Sequence, residues 1–165
     1  MKKRVVSMML VGVMALSLTA CGGGSGDGGS GDSGSEGEMN IAMVTDSGDI
    51  TDQSFNQTTY ESCKAWADEN GVEFTYYKPE SDSDEARNAS VDQAIADGAN
   101  VVVLPGYMFA ATVVEQPEMY PDVKFVALDV GAGDILEKGV GEGYDYNPDN
   151  YDVTEYYNTD NVYSC

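Results

Sequence analysis

Apolar residues along this chain fall into three regimes. Val5 to Leu18 is an almost unbroken apolar run, residues 22–38 carry no apolar side chain, and from Asn40 onward short apolar runs alternate with stretches of helical spacing. Asn40-Ile-Ala-Met-Val-Thr45 predicts a buried strand. Ser54 to Asn70 predicts a helix with Phe55, Thr59, Cys63 and Trp66 on one face, Ser54 as its N-cap and Gly71 as its stop. Val72 to Tyr77 is rich in aromatic and β-branched residues and predicts a second strand. A second helix is expected over Asp84–Asp97, with Ala86, Ala89, Ala94 and Ile95 as its apolar positions and Gly98 after it. Asn100 to Leu104 is a third strand, Phe109 to about Glu115 a third helix ending near Pro117 and Pro121, and Val123 to Leu128 a fourth strand. Residues 139–161 are rich in Gly, Asp, Asn and Tyr and read as loop, with a short strand over Asn161–Cys165.

Strands that are continuously apolar and separated by helices indicate an α/β fold, with a parallel sheet covered on both faces. Ligands of such sheets bind beyond the carboxyl ends of the strands. Thr45–Asn56, Pro105–Phe109 and Asp129–Gly133 are therefore expected to share one edge.

Charge narrows the chemistry. Eight Lys and Arg stand against 29 Asp and Glu, with no His, for a formal net charge of −21 over 165 residues. A nucleic-acid partner requires a basic face, so none is expected. Without His, a Ser-His-Asp triad, a Cys-His pair and an HExxH zinc site are impossible. No metal or cofactor site is expected. Asp145 to Asp149 imitates the start of a calcium loop, but Asn150 stands where Gly is needed and Tyr156 where the bidentate Glu belongs. Gly131-Ala-Gly133 follows a strand, yet Leu136 takes the third-glycine position of a dinucleotide fingerprint.

The N-terminus reads as an address. Lys2, Lys3 and Arg4 precede the apolar run, which is short for a membrane span and right for a secretory signal. Leu18-Thr19-Ala20-Cys21 resembles a bacterial lipobox, which makes residues 1–20 a lipoprotein signal peptide and Cys21 the lipidated residue. Two acyl chains hold a protein firmly on a membrane. Residues 21–38 would then be the anchor and a Gly/Ser/Asp tether with a reach of roughly 20–25 Å, and 39–165 the folded domain. The expected location is the extracytoplasmic face of the cell membrane. Nothing in the spacing of Cys63 and Cys165 indicates that they pair.

The most specific stretch is Val44-Thr-Asp-Ser-Gly-Asp-Ile-Thr-Asp-Gln-Ser-Phe-Asn-Gln57. It runs from a strand end into a helix start, where free N–H groups and the positive dipole end lie. A carboxylate (Asp46), an aromatic ring (Phe55) and an amide (Asn56) placed there suit a flat polar ligand. Asp46, Asp49 and Asp52 also fit as turn and capping residues, and Phe55 fits as core.

This stretch resembles the signature of the basic membrane protein family of solute-binding lipoproteins of ABC transporters, which includes purine nucleoside receptors. Gly98-Ala-Asn-Val-Val-Val-Leu-Pro-Gly-Tyr107 and Tyr120-Pro-Asp-Val-Lys-Phe-Val-Ala-Leu-Asp129 extend the resemblance. It implies a type I periplasmic-binding-protein fold in which two α/β lobes close on a ligand. It further implies that Asp46 holds a ribose, that Phe55 and Asn56 contact the base, and that Asp129 and Tyr107 line the pocket. An ABC permease is the implied partner, and no catalytic residue is implied. Members of the family run to roughly twice this length, so residues 39–165 are expected to be an N-terminal lobe with the second lobe missing. Such a lobe presents half a site and is expected to bind nucleosides weakly on its own. The competing readings are a binder of another small solute such as a sugar, a surface lipoprotein or inactive fragment that binds nothing, and a membrane-tethered enzyme using carboxylate acid/base chemistry. No paired-carboxylate arrangement is identifiable for the last.

Overall fold

The structure is a computed structural model that describes residues 38–165. The expected signal peptide, the expected lipidation site Cys21 and nearly all of the expected tether lie outside the described residues. Five parallel strands form one sheet in the order β2-β1-β3-β4-β5, with β1 at Asn40–Val44, β2 at Glu73–Tyr77, β3 at Val101–Pro105, β4 at Lys124–Leu128 and β5 at Val162–Ser164. The helices are α1 (Phe55–Asn70), α2 (Asp84–Ala96), α3 (Ala110–Met119) and α4 (Ala132–Val140). Among the described residues no helix is long and apolar enough to cross a membrane.

The chain steps outward from β1 to β2, reverses to β3, and continues through β4 to β5. Right-handed connections then put α1 on one face and α2, α3 and α4 on the other. The packing agrees. Val91, Ala94, Ala110, Val113 and Ile135 from these three helices share the main core with Ala42, Val44, Val102, Leu104, Phe125 and Ala127 of the strands. On the opposite face Tyr60 and Cys63 of α1 cover Ile41, Met43 and Val103. Among the described residues α1 is the only helix on that face. Beside it Met39, Ile41, Trp66, Val101, Val103 and Val126 line an open apolar trough of about 330 Å³.

Several sequence expectations are corrected. The buried face of α1 is Asn56, Thr59 and Ala67, with Tyr60 and Cys63 beside them, rather than the face through Phe55 and Trp66. These two aromatics are 43% and 46% exposed. The apolar residues at the right period lie at the edges of the helix, and a polar Asn takes the place the aromatic ring was expected to hold. In α2 Ala89 is exposed, while Arg87 and Val91 are buried with Ala94. α3 runs two residues past Pro117 before stopping at Met119, after a 3₁₀ turn over Tyr107–Phe109. α4 was not expected from the sequence. It starts inside the segment expected to be an open edge and runs into the stretch read as loop. Its two glycines, Gly133 and Gly139, weaken the helical signal. The remainder of 139–161 is irregular with three short 3₁₀ turns, and β5 pairs in parallel with β4. Cys63 and Cys165 are both free.

Arg87 is the polar residue in this fold that burial would make most costly without partners. It is 5% exposed. Its guanidinium donates to Asp82 and Asp84, each at 2.8 Å, and Lys138 of α4 donates to the other oxygen of Asp84 at 2.7 Å. This chain of charges ties the start of α2 to α4. Burial opposes ionisation of the Asp84 carboxyl, but Lys138 and Arg87 outweigh it and hold its pKa below the ordinary value. Arg87→Met keeps an unbranched apolar stem and removes both of the ion pairs that Arg87 makes. It should cost about 1–3 kcal/mol of stability in urea unfolding, whereas a cost below about 0.5 kcal/mol would mean that the pairs behave as solvent-exposed ones.

Candidate functional site

The sheet register sets the site. Met43 of β1 pairs with Val103 of β3, and Val103 pairs with Val126 of β4. Asp46, Gly106 and Asp129 each follow these aligned residues by three positions, so all three leave the carboxyl edge at one height. Strand order reverses between β1 and β3, the point where open α/β sheets hold ligands. At ordinary strand spacing Asp46 and Asp129 stand about 10 Å apart, with the exit of β3 between them.

The loop from Asp46 to α1 is knotted by side chains. Asp46 Oδ1 accepts from the Ser47 N–H, from the Gly48 N–H at 2.6 Å and from Asn56 Nδ2 at 2.8 Å. Asn56 Oδ1 accepts the Asp46 N–H at 3.3 Å, and Nδ2 also donates to Asp52 Oδ2 at 3.0 Å. Asn56 is 3% exposed, on the first turn of α1. Asp52, not Ser54, provides the helix cap. Its carboxylate accepts the Ser54 N–H at 2.8 Å, the Gln57 N–H at 3.3 Å and the Ser54 hydroxyl at 2.8 Å. Ser54 occupies the N-cap position without a side-chain cap of its own. Lys78 donates to Asp49 at 3.2 Å and ties the loop to the end of β2. The reading of Asp49 and Asp52 as turn and capping residues therefore describes their local contacts.

These contacts fix the charge state of the loop. The Asn56 amide comes first among the groups that lower the Asp52 carboxyl to about 2, with Ser54 and Gln57 adding to it against the opposing effect of desolvation. For Asp46, burial works against the charge, but the Gly48 N–H, the Asn56 amide and the Ser47 N–H outweigh it and leave the pKa below the ordinary value. Both carboxylates are ionised at neutral pH, and both act only as acceptors.

The other expected residues surround this knot. Phe55 projects a half-exposed ring, and a Cβ built on Gly106 would lie 3.9 Å from its Cδ1. The ring thus stands beside the exit of β3. Gly106 has φ of +112°, a conformation open to glycine and little else. Tyr107 follows in the 3₁₀ turn and is exposed, while Phe109 at the end of that turn is fully buried and anchors it. Asp129 has φ of +58°, unusual for a residue other than glycine, and its N–H donates to the Cys165 carbonyl at 2.9 Å. Strained backbone of this kind costs of order 1 kcal/mol or more and concentrates at functional sites. The structure thus joins Asp46 to Asn56, sets Phe55 beside Gly106, and brings Asp129 to the same rim from the far side of β3. Tyr107 also lines a cavity of about 240 Å³ on the side of α2 and α4, with Arg87 and Lys138. Gly48 and Asp52 were not singled out as site residues. The four-residue spacing from Asp52 to Asn56 was the signal available for one of them. Among the described residues no group of acidic or cysteine side chains could hold a metal ion.

Comparison with known proteins supplies the context. A CD4+ T-cell-stimulating antigen of Listeria monocytogenes is 30% identical over 136 residues, which cover 78% of this chain and 38% of that protein. An uncharacterised lipoprotein of Pyrococcus abyssi is 27% identical over 142 residues, 85% of this chain and 34% of its own. A nucleoside-binding protein of an ABC transporter from Lactococcus lactis, BmpA, is 30% identical over 92 residues, 53% of this chain and 26% of that one. The chain thus spans between about a quarter and a little more than a third of the length of the relatives it matches. Among solved structures, a solute-binding protein of an ABC transporter system from Aeropyrum pernix shares the fold with a TM-score of 0.50 at 23% identity, over 56% of this chain and 25% of that one. Its counterpart from Conexibacter woesei gives 0.50 at 20% identity, over 58% and 32%. These are binding proteins, not enzymes. Residues 39–151 match the family described as ABC transporter substrate-binding protein, PnrA-like, and the chain belongs to that family.

Proposed function

We propose that this chain captures a purine nucleoside at the carboxyl rim of its sheet for delivery to an ABC permease. Asp46 takes the ribose, Phe55 stacks on the base, Asn56 serves the same loop, and Asp129 and Tyr107 complete the near wall. The observation that carries this reading is the alignment of Asp46, Gly106 and Asp129 at one height of the switch point, with a carboxylate side chain at each side and an exposed aromatic ring beside the middle strand. An acceptor-only carboxylate suits sugar hydroxyls, and an aromatic face suits a base, with stacking worth about 1–3 kcal/mol per base. The name of the Lactococcus lactis relative agrees with this choice of solute. Closure of a second lobe over the rim, selected by contacts to both lobes, is the proposed mechanism. Calorimetric titration with adenosine, guanosine and inosine tests the solute. Heat saturating with at least one of them supports the reading, while binding of a hexose and none of the three overturns it.

Lipidation of Cys21 belongs to the same proposal, and relatives from Pyrococcus are named lipoproteins. Cys21→Ser should move the protein from the membrane fraction to the soluble fraction of expressing bacteria. It should also remove the mass of the acyl groups. A membrane-bound Cys21→Ser protein would show that attachment does not depend on this cysteine.

A further inference from the structure

We propose that two copies of this chain associate through the free edge of β2, running antiparallel and in register about Thr75. The inference does not depend on the choice of solute. Its basis is the backbone. β2 lies at the edge of the sheet and, among the described residues, pairs only with β1. The Tyr77 carbonyl accepts the Thr45 N–H at 2.9 Å, so the backbone of Tyr77 faces β1. Residues two apart face the same way along a strand, so Thr75 and Glu73 face β1 as well. The N–H and C=O groups of Phe74 and Tyr76 therefore point outward, where they are a template for another strand.

One register uses all four of these groups. With Thr75 opposite the partner's Thr75, Phe74 exchanges both hydrogen bonds with the partner's Tyr76, and Tyr76 does so with the partner's Phe74. A slip of one residue would set outward groups against inward ones. A slip of two in one direction spends a pairing on Val72, whose N–H already goes to Ala67 at 3.0 Å. In the other direction it leaves Phe74 opposite Lys78 in place of an aromatic ring. The side chains agree with the first register. Phe74 and Tyr76 both pack on Tyr60 of α1, with ring centroids 5.6 and 5.3 Å away, so they share the α1 face. Beside them is an open groove of about 280 Å³ lined by Tyr60, Lys64, Asp68 and β2 itself. The partner's two rings would enter it, and aromatic cross-strand pairs stabilise a sheet. Glu73 meets the partner's Tyr77 and Lys78 meets the partner's Val72, so no like charges stand directly opposed. The net charge of −21 on each copy still works against association, which salt should therefore strengthen. Antiparallel pairing turns the two carboxyl rims in opposite directions and leaves both open.

Sedimentation of the Cys21→Ser chain, in which no acyl group can hold copies together, tests this. A dimer is expected with a dissociation constant of about 10–500 µM, in keeping with a small interface. It should tighten about threefold or more between about 0.05 and 0.5 M salt. The two copies of residue 75 would have Cα atoms about 4.5 Å apart, within reach of a disulfide. The two copies of residue 73 would be about 13 Å apart. On oxidation Thr75→Cys should therefore link the copies at position 75, identified by the mass of the joined peptide, and Glu73→Cys should not link them at 73. Thr75 is exposed. Thr75→Lys sets like charges face to face on the two-fold axis and should abolish the dimer with the unfolding midpoint unchanged. Amide exchange at Phe74 and Tyr76 should slow as concentration rises, while Thr75, already bonded to β1, should not change. A chain that stays monomeric at about 1 mM would overturn the proposal. So would a dimer that Thr75→Lys leaves intact, or a Glu73→Cys link as ready as the one at position 75.

Discussion

Gly48→Ala should lower solute affinity by about ten- to a hundredfold and cost about 1.5–3 kcal/mol of stability while the domain still folds. The reason is space. A Cβ at position 48 would sit 2.6 Å from Asn56 Nδ2, 3.1 Å from Asp52 Oδ2 and 3.2 Å from Asp46 Oδ1. The first distance is below any ordinary contact, and the atom it meets is not the free end of a flexible chain. Asn56 is buried and held on both sides, so it can yield only by giving up its bonds to the two carboxylates. Each bond to a charged group is worth about 1.5–3 kcal/mol when the geometry is kept. The loop itself is largely exposed and contributes little to either hydrophobic core. Loss of affinity without loss of fold is therefore the expected signature. Calorimetry and urea unfolding on the same protein would measure both. A Gly48→Ala protein that binds normally would show that the knot is dispensable.

The second large effect concerns stability. Asn161 is 1% exposed. Its Nδ2 donates to the carbonyls of Pro117 at 3.1 Å, Tyr120 at 3.0 Å and Val123 at 3.0 Å. Pro117 and Tyr120 lie at the end of α3, where carbonyls have no partner within the helix. Val123 leads into β4. One amide thus closes the turn between a helix and a strand, and the Asn161 carbonyl accepts the Phe125 N–H at 2.8 Å to start β5. Asn161→Ala removes the two amide hydrogens that the three carbonyls share, leaving the Tyr120 carbonyl with the Val123 N–H and the Pro117 carbonyl with a long bond from Asn158, and it opens a small void. A cost of about 2–4 kcal/mol is expected, a large part of the 5–15 kcal/mol typical of a domain. Urea unfolding would give the cost directly. Hydrogen exchange should also quicken at the Cys165 and Asp129 amides, which bond between β4 and β5. A loss below about 0.5 kcal/mol would show that water replaces the amide without penalty.

These two positions mark where the sequence is legible and where it is not. The strands were legible because a parallel sheet buries both faces, and the runs Ile41–Val44 and Val102–Leu104 are apolar without interruption. Their alternation with helices was enough to put the three rim segments on one edge. Asp46, Phe55 and Asn56 stood out because they follow a strand and open a helix. Asn161 could not be found in this way. A buried Asn is indistinguishable in sequence from a loop Asn until the carbonyls it serves are in place, and those come from residues about 40 positions earlier. Arg87 was missed for the same reason, since its partners decide whether its burial is tolerable. The face of α1 was misjudged because periodicity registers hydrophobicity and not direction. Phe55 and Trp66 have the right spacing yet lie half-exposed at the edges of the buried face, and α4 was hidden by its glycines.

Solute binding is proposed at the carboxyl rim of β1, β3 and β4. Amide chemical shifts of the 165-residue chain, followed as guanosine, inosine or adenosine is added to millimolar concentration, test it most directly, because weak binding is still visible there. The shifts should move together at Asp46–Asn56, Gly106–Tyr107 and Asp129, and Asp46→Ala should abolish them. Perturbation confined to other surfaces, or none at all with any of the three nucleosides, would contradict it.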